Sequence, residues 1–262
     1  MKIRHSIILA VSCALLLATS CEKEDDFSQK APAVPAISTL KIDFPEVKGI
    51  GTKAFSAEDS FRHLYDAFVN IWMDLYENML NVPMGALEIV ASAEPTFDGG
   101  VWTWSVSDYN CIGQKYAVNL ACTEAGSKVD WKLSVTRDGL GGFQNYTWIE
   151  GWSEKDGSAG QWSVRVSPHD TDVLVTSDWT AADGRLLSCR NTYNLSHAMG
   201  SIGAFFNGSY VEYSASPTDE RFNNSLKISY FQIGNHEVGL NLEWNPETNA
   251  FRSSMNGGNW VE

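Results

Sequence analysis

The sequence predicts a mainly β domain with one or two N-terminal helices, its strands forming one long antiparallel meander. Three observations lead there. From Val101 onward, apolar and polar residues alternate with a period of two. Hairpin-type pairs such as Asp138-Gly139, Asp156-Gly157 and Asp183-Gly184 separate the runs. Ahead of them, residues 56–79 carry apolar side chains at three- and four-residue spacing. A meander with a helix beside it predicts a strongly curved sheet or incomplete barrel around that helix. An open sheet of so many flat strands would leave one face bare, and strand twist opposes it. A two-sheet β-sandwich is the alternative.

Taken in order, the chain begins with Lys2 and Arg4, an apolar run from Ile7 to Ala18, then Ala18-Thr19-Ser20-Cys21. The run is shorter than the roughly 20 residues a spanning helix needs. It reads as a signal peptide over residues 1–20, cut before Cys21. The exposed thiol and amine would then take acyl chains, each buried CH₂ contributing about 0.8 kcal/mol of membrane affinity. Ala18–Cys21 resembles a bacterial lipobox, with alanine where leucine is usual. The acidic run Glu22-Lys23-Glu24-Asp25-Asp26 looks like the surface-export signal of Bacteroidota lipoproteins, which implies an outer-membrane protein, lipid-anchored and exposed at the cell surface.

Residues 21–36 read as the acylated cysteine and a flexible tether, because Ala31-Pro32-Ala33-Val34-Pro35-Ala36 favours extended conformations. A single helix-plus-β domain is expected over 37–262. Leu40, Ile42 and Phe44 alternate with Lys41 and Asp43, a short strand ended by Pro45. Ser56-Ala57-Glu58-Asp59 is a capping box that opens the long helix. A shorter helix is expected from Pro83 to about Ser92.

Eleven strands follow. Trp102, Trp104 and Val106 mark the first; Tyr116 to Cys122 the second; Val129 to Val135 the third. The rest fall at 143–152, 161–166, 172–179, 185–191, 209–215, 225–233, 237–244 and 250–254, with further turns at Gly234-Asn235 and Asn256-Gly257. Trp152, Trp179 and Trp244 each stand five residues before Gly157, Gly184 and Asn249. That spacing reads as one hairpin design used three times, with the tryptophan closing the core near one rim of the sheet. The words Leu40-Lys41-Ile42-Asp43-Phe44, Trp72, Asn81-Val82-Pro83, Val101-Trp102-Thr103-Trp104-Ser105, Val129-Asp130-Trp131 and Gly160-Gln161-Trp162 resemble a Bacteroidota surface-lipoprotein family of unknown function. The resemblance implies one continuous domain and no particular chemistry.

With a formal net charge of -13, and two positive charges fewer after cleavage, the chain repels phosphate, so nucleic acid is excluded as a partner. The mature thiols other than Cys21 are Cys111, Cys122 and Cys189; a Cys122–Cys189 disulfide is left open. His63, His169, His197 and His236 have no metal-ligand spacing. Asp170 and Asp172 offer alternate carboxylates of the kind calcium accepts, in what otherwise reads as an ordinary acidic turn. No nucleophile elbow, phosphate loop or dinucleotide fingerprint is present, and no cofactor is called for.

The functional candidates lie on one strand. Tyr146, Trp148, Glu150 and Trp152 share a side by strict alternation. A glutamate between two tryptophans suits an open concave surface where rings stack on a ligand, with Trp102 and Trp104 extending it. Equally, a bulge near Gly151 would turn Trp152 inward and Glu150 outward. Taken together, the sequence describes a non-enzymatic surface lipoprotein. It would bind a glycan, a hydrophobic small molecule or a partner protein. The alternatives are an accessory subunit of an outer-membrane assembly and a hydrolase using a carboxylate pair that includes Glu150.

Overall fold

The computed structural model describes residues 30–42, 79–194, 208–216, 220–233, 236–248 and 250–255. Cys21, the acidic run, the helix over 56–78 and the turns at 234–235 and 256–257 lie outside the described residues. The described residues from Pro32 onward belong to one compact unit.

Among the described residues, twelve strands form one antiparallel sheet in strict sequence order. They are β1 (Thr96–Asp98), β2 (Val101–Cys111), β3 (Gln114–Ala125), β4 (Lys128–Arg137), β5 (Phe143–Glu154) and β6 (Ala159–Ser167). Then come β7 (Asp170–Ala182), β8 (Arg185–Tyr193), β9 (Tyr210–Ser214), β10 (Asn224–Ile233), β11 (His236–Asn245) and β12 (Ala250–Met255). The expected strongly curved sheet or incomplete barrel is thereby overturned, and so is the sandwich. The sheet is single and open, neither closed nor curled, with β1 and β12 as its edges.

Strand count and twist do not fix closure; the pairing does, and it runs from β1 to β12 without joining the two edges. Helix α1 (Asn81–Ala91) packs on β2 and β3, while the 3-10 turn Ile37–Thr39 packs on β7 and β8. Across β3 to β6 the opposite face is largely polar and meets water, as antiparallel sheets allow, whereas Glu243 and Arg252 on that side of β11 and β12 are buried. Alternation on the core face is clean in β3, where Tyr116, Val118, Leu120 and Cys122 are buried, and in β4, where Val129, Trp131, Leu133 and Val135 are.

The eleven expected strands all form; the three-residue edge strand β1 is additional. It is exposed throughout and so carries no alternation to read. α1 begins two residues before Pro83, whose missing N–H falls in the first turn, where donors lack helical partners anyway. Its buried face is Pro83, Met84, Ala86, Leu87 and Val90, and Ser92 closes the last turn by donating its hydroxyl to Ile89 O at 2.7 Å. No strand forms over Leu40–Ile42. Instead the Thr39 hydroxyl donates to Ala36 O at 2.7 Å, a local bond that closes the 3-10 turn.

Two glycines let tryptophans interlock across the sheet. Register on the core face runs unbroken through Cys122, Trp131, Gly151, Trp162, Ser177 and Asn191. A Cβ at Gly151 would stand 2.7 Å from the Trp162 ring, and one at Gly160 would stand 2.4 Å from that of Trp179. The absent side chains leave room for the rings.

Candidate functional site

β5 carries the sequence-predicted aromatic face, and a bulge divides it. Leu133 opposes Ile149 while the next residue, Ser134, opposes Thr147, so Trp148 is the extra residue. Trp148 and Ile149 are consequently both buried, and the alternation changes phase between them. Tyr146, opposite buried Val135, belongs with Trp148 on the core face. Glu150 and Trp152 lie on the outer face. The bulge falls three residues before Gly151 and sends Trp152 outward, not inward.

The glutamate between two tryptophans is thereby explained. Glu150 pairs with Arg165 at 2.5 Å on the solvent side, where Arg165 also donates to Thr171 O at 2.7 Å. The Lys128 ammonium sits 3.5 Å from the centre of the Trp152 ring. Trp102 and Trp104 are both buried, Trp104 with its ring 5.7 Å from that of Trp131. The six candidates therefore form no common surface. Phe143, Tyr146 and Trp148 instead make an edge-to-face cluster in which Tyr146 Oη and Trp148 Nε1 are buried without a hydrogen-bond partner. Burial pushes the Tyr146 phenol up to about 12; Arg165 opposes that shift and Asp170 adds to it.

Of the repeated tryptophans, only Trp179 is fully buried at a rim; Trp152 faces outward and Trp244 is half-buried. The Asp172 amide donates to Asp170 Oδ1 at 3.1 Å, a local turn bond. Among the described residues, no three His, Cys, Asp or Glu side chains gather as a metal would need. Cys111, Cys122 and Cys189 are buried free thiols. Burial pushes Cys122 up to about 12 and Cys189 up to about 11, the latter against the lowering effect of its Ser177 bond.

Alternation did not single out a buried polar clasp under the N-terminal segment. Trp162 Nε1 donates to Thr39 Oγ1 at 2.9 Å, Ser177 Oγ to Thr39 O at 2.6 Å, and Asn191 Nδ2 to Leu40 O at 2.6 Å. Cys189 Sγ lies 3.4 Å from Thr39 O and from Asn191 Oδ1. Ser177 and Asn191 were legible as polar residues on the apolar phase of their strands.

The clasped segment separates two cavities. The first, about 560 Å³, lies between Ala33–Thr39 and the β5–β6 and β7–β8 turns, with Trp179 and Leu186 among its walls. Asp156 and Asp183 are its carboxylates, and no Lys or Arg is among the described residues lining it. The Ser158 side chain, and after it the Ser158 amide, which donates to Asp156 Oδ1 at 2.9 Å, hold the Asp156 carboxyl below its usual range. The second cavity, about 390 Å³, shares Ser38 and Leu186 with the first and adds Lys41, Ile42, Arg185, Tyr213 and Trp244.

Comparison with protein-family models, curated proteins and solved structures finds no match to this chain.

Proposed function

We propose that this chain is a non-enzymatic surface lipoprotein, anchored at the outer membrane through acyl groups on Cys21, that binds an apolar small molecule. Its site is the cavity beside Ala33–Thr39. The lipobox at Ala18–Cys21 and the acidic residues after it support the anchor and the resemblance to Bacteroidota surface lipoproteins.

The observation that carries the binding function is the cavity itself. Its volume, about 560 Å³, falls inside the 300–1,000 Å³ range of small-molecule sites. Val34, Pro35, Ala36 and Leu186 supply apolar wall. Two carboxylates without a lining cation favour a neutral or cationic ligand over a fatty acid. Trp179 is 3 % exposed and offers no free ring face, which favours an apolar body over a stacked sugar.

The test uses the neutral fluorescent probe N-phenyl-1-naphthylamine, with decylamine and decanoate as competitors. Saturable enhancement is expected, displaced by decylamine at lower concentration than by decanoate, and lost in Ala182→Trp, which fills the cavity from an exposed wall position. Enhancement that never saturates, or is the same in Ala182→Trp, overturns the proposal.

A further inference from the structure

The second cavity has different chemistry. In a chain of net charge -13, Lys41 and Arg185 converge on one space of about 390 Å³. Arg185 is exposed, and among the described residues no carboxylate lies within ion-pairing distance of it. A guanidinium offers a planar fork of donors that matches a carboxylate through two parallel hydrogen bonds.

The remaining wall is aromatic. Tyr213 and Trp244 are both half-buried and pack on each other, with ring centroids 6.3 Å apart and planes inclined at 55°. The Tyr213 hydroxyl donates to Asn224 Oδ1 at 2.8 Å, which orients its ring. Tyr213 comes from β9, Trp244 from β11 and Arg185 from the first residue of β8, so a rigid sheet presents all three. Rings beside a cation select a ligand that has both a stacking surface and a negative charge.

We infer that this cavity, framed by Lys41, Arg185, Tyr213 and Trp244, binds a ring-bearing carboxylate. The carboxylate meets Arg185, and the ring lies against the Tyr213 and Trp244 wall of the cavity. The site is separate from the acidic cavity across Ser38 and stands or falls independently of it. The shared chemistry has two sources, a uronic sugar and an aromatic acid, which the probes distinguish.

Isothermal titration of the purified lipoprotein in detergent compares glucuronate, benzoate, glucose and acetate at fixed ionic strength. At least one of glucuronate and benzoate is expected to bind tenfold or more tightly than both glucose, which lacks the charge, and acetate, which lacks the ring. Arg185→Gln, at an exposed position that leaves the fold intact, should bring that affinity down to the level of the neutral or ringless control. Trp244→Leu should weaken the ring carboxylate while leaving acetate unchanged, with its melting temperature read alongside. Equal binding of all four probes, binding of none, or an unchanged affinity in Arg185→Gln overturns the inference.

Discussion

The Trp162 indole donates to the Thr39 hydroxyl across 123 residues of sequence, and that hydroxyl donates in turn to Ala36 O. One threonine thus closes its own turn and accepts the bond that fixes the turn to the sheet. Thr39→Val keeps the shape and removes both bonds, leaving a buried indole N–H without an acceptor. The expected loss is about 1–3 kcal/mol in urea denaturation. Adding Trp162→Phe should cost less in the Thr39→Val background than in the wild type, because the orphaned donor goes too. A double variant as unstable as the sum of its two parents would argue against the link.

Gly151 and Gly160 are predicted to resist substitution for reasons of space. A Cβ at 151 would stand 2.1 Å from Gln161 O, and one at 160 would stand 2.5 Å from Trp152 O, both backbone atoms that cannot swing away. Gly151→Ala and Gly160→Ala should each cost about 3 kcal/mol. Gly157→Ala, at φ +71° with open space around it, should cost about 1–2 kcal/mol through conformation alone. Thermal unfolding of the three variants would show the ranking; equal losses would rule out the interlocked rings as its cause.

How much of this was legible in the sequence depends on what alternation encodes. Period-two patterning located β2 to β12 chiefly through strands with one wet face, such as β3, β4 and β6, although β12 buries Arg252, Ser253 and Ser254 in succession. It had nothing to say about β1, wet on both. Nor does alternation report where its own phase breaks. Tyr146, Trp148, Glu150 and Trp152 read as one face, whereas Ile149, Gly151 and Ser153 offered the other phase, and only the pairing with β4 decides between them. Sheet closure was equally beyond the strand count, because it depends on whether the two edge strands pair, and β1 and β12 do not. The charged, ring-lined second cavity draws on residues 41, 185, 213 and 244, too far apart in sequence for any local motif.

Two ion pairs should behave oppositely. Glu243 and Arg252 pair across β11 and β12, with side chains 2 % and 10 % exposed, and the Arg252 guanidinium also lies 5.0 Å from the Phe222 ring. Glu243→Gln removes the charge that Arg252 meets at a buried site and should cost more than about 1 kcal/mol, with little dependence on salt. Glu150→Gln breaks a pair whose members are 45 % and 27 % exposed, so no more than about 1 kcal/mol should be lost, less at high salt. Denaturation of both variants at low and high salt measures the contrast. A large, salt-sensitive loss at Glu150 would contradict the outer-face placement.

Tyr146 and Trp148 should tolerate removal of their polar atoms. Each hides a donor with no acceptor, so Tyr146→Phe and Trp148→Phe relieve a desolvation cost of about 1–3 kcal/mol less whatever packing they lose. Neutral or raised stability is expected from each. Trp148→Ala, which empties a buried volume, should lose about 3–5 kcal/mol. Marked destabilisation by Trp148→Phe would mean that the indole N–H has a partner after all.

Alkaline pH should destabilise the fold. Burial raises Cys122 to about 12, Cys189 to about 11 and Tyr146 to about 12, so the folded chain holds these protons more tightly than the unfolded chain, where thiols ionise near 8.5 and phenols near 10. A group whose folded pKa is raised gives its full stabilisation below the unfolded value. That contribution fades as pH rises toward the folded one. Unfolding free energy should therefore hold level from pH 7 to about 8.5 on account of these groups, then fall through pH 9 to 11. The thiols give an independent check. At pH 8, Cys122 and Cys189 should resist 5,5′-dithiobis(2-nitrobenzoate) in the native protein and react at once in urea. Rapid native labelling of either would mean a thiolate already present, and with it a microenvironment unlike the buried one described.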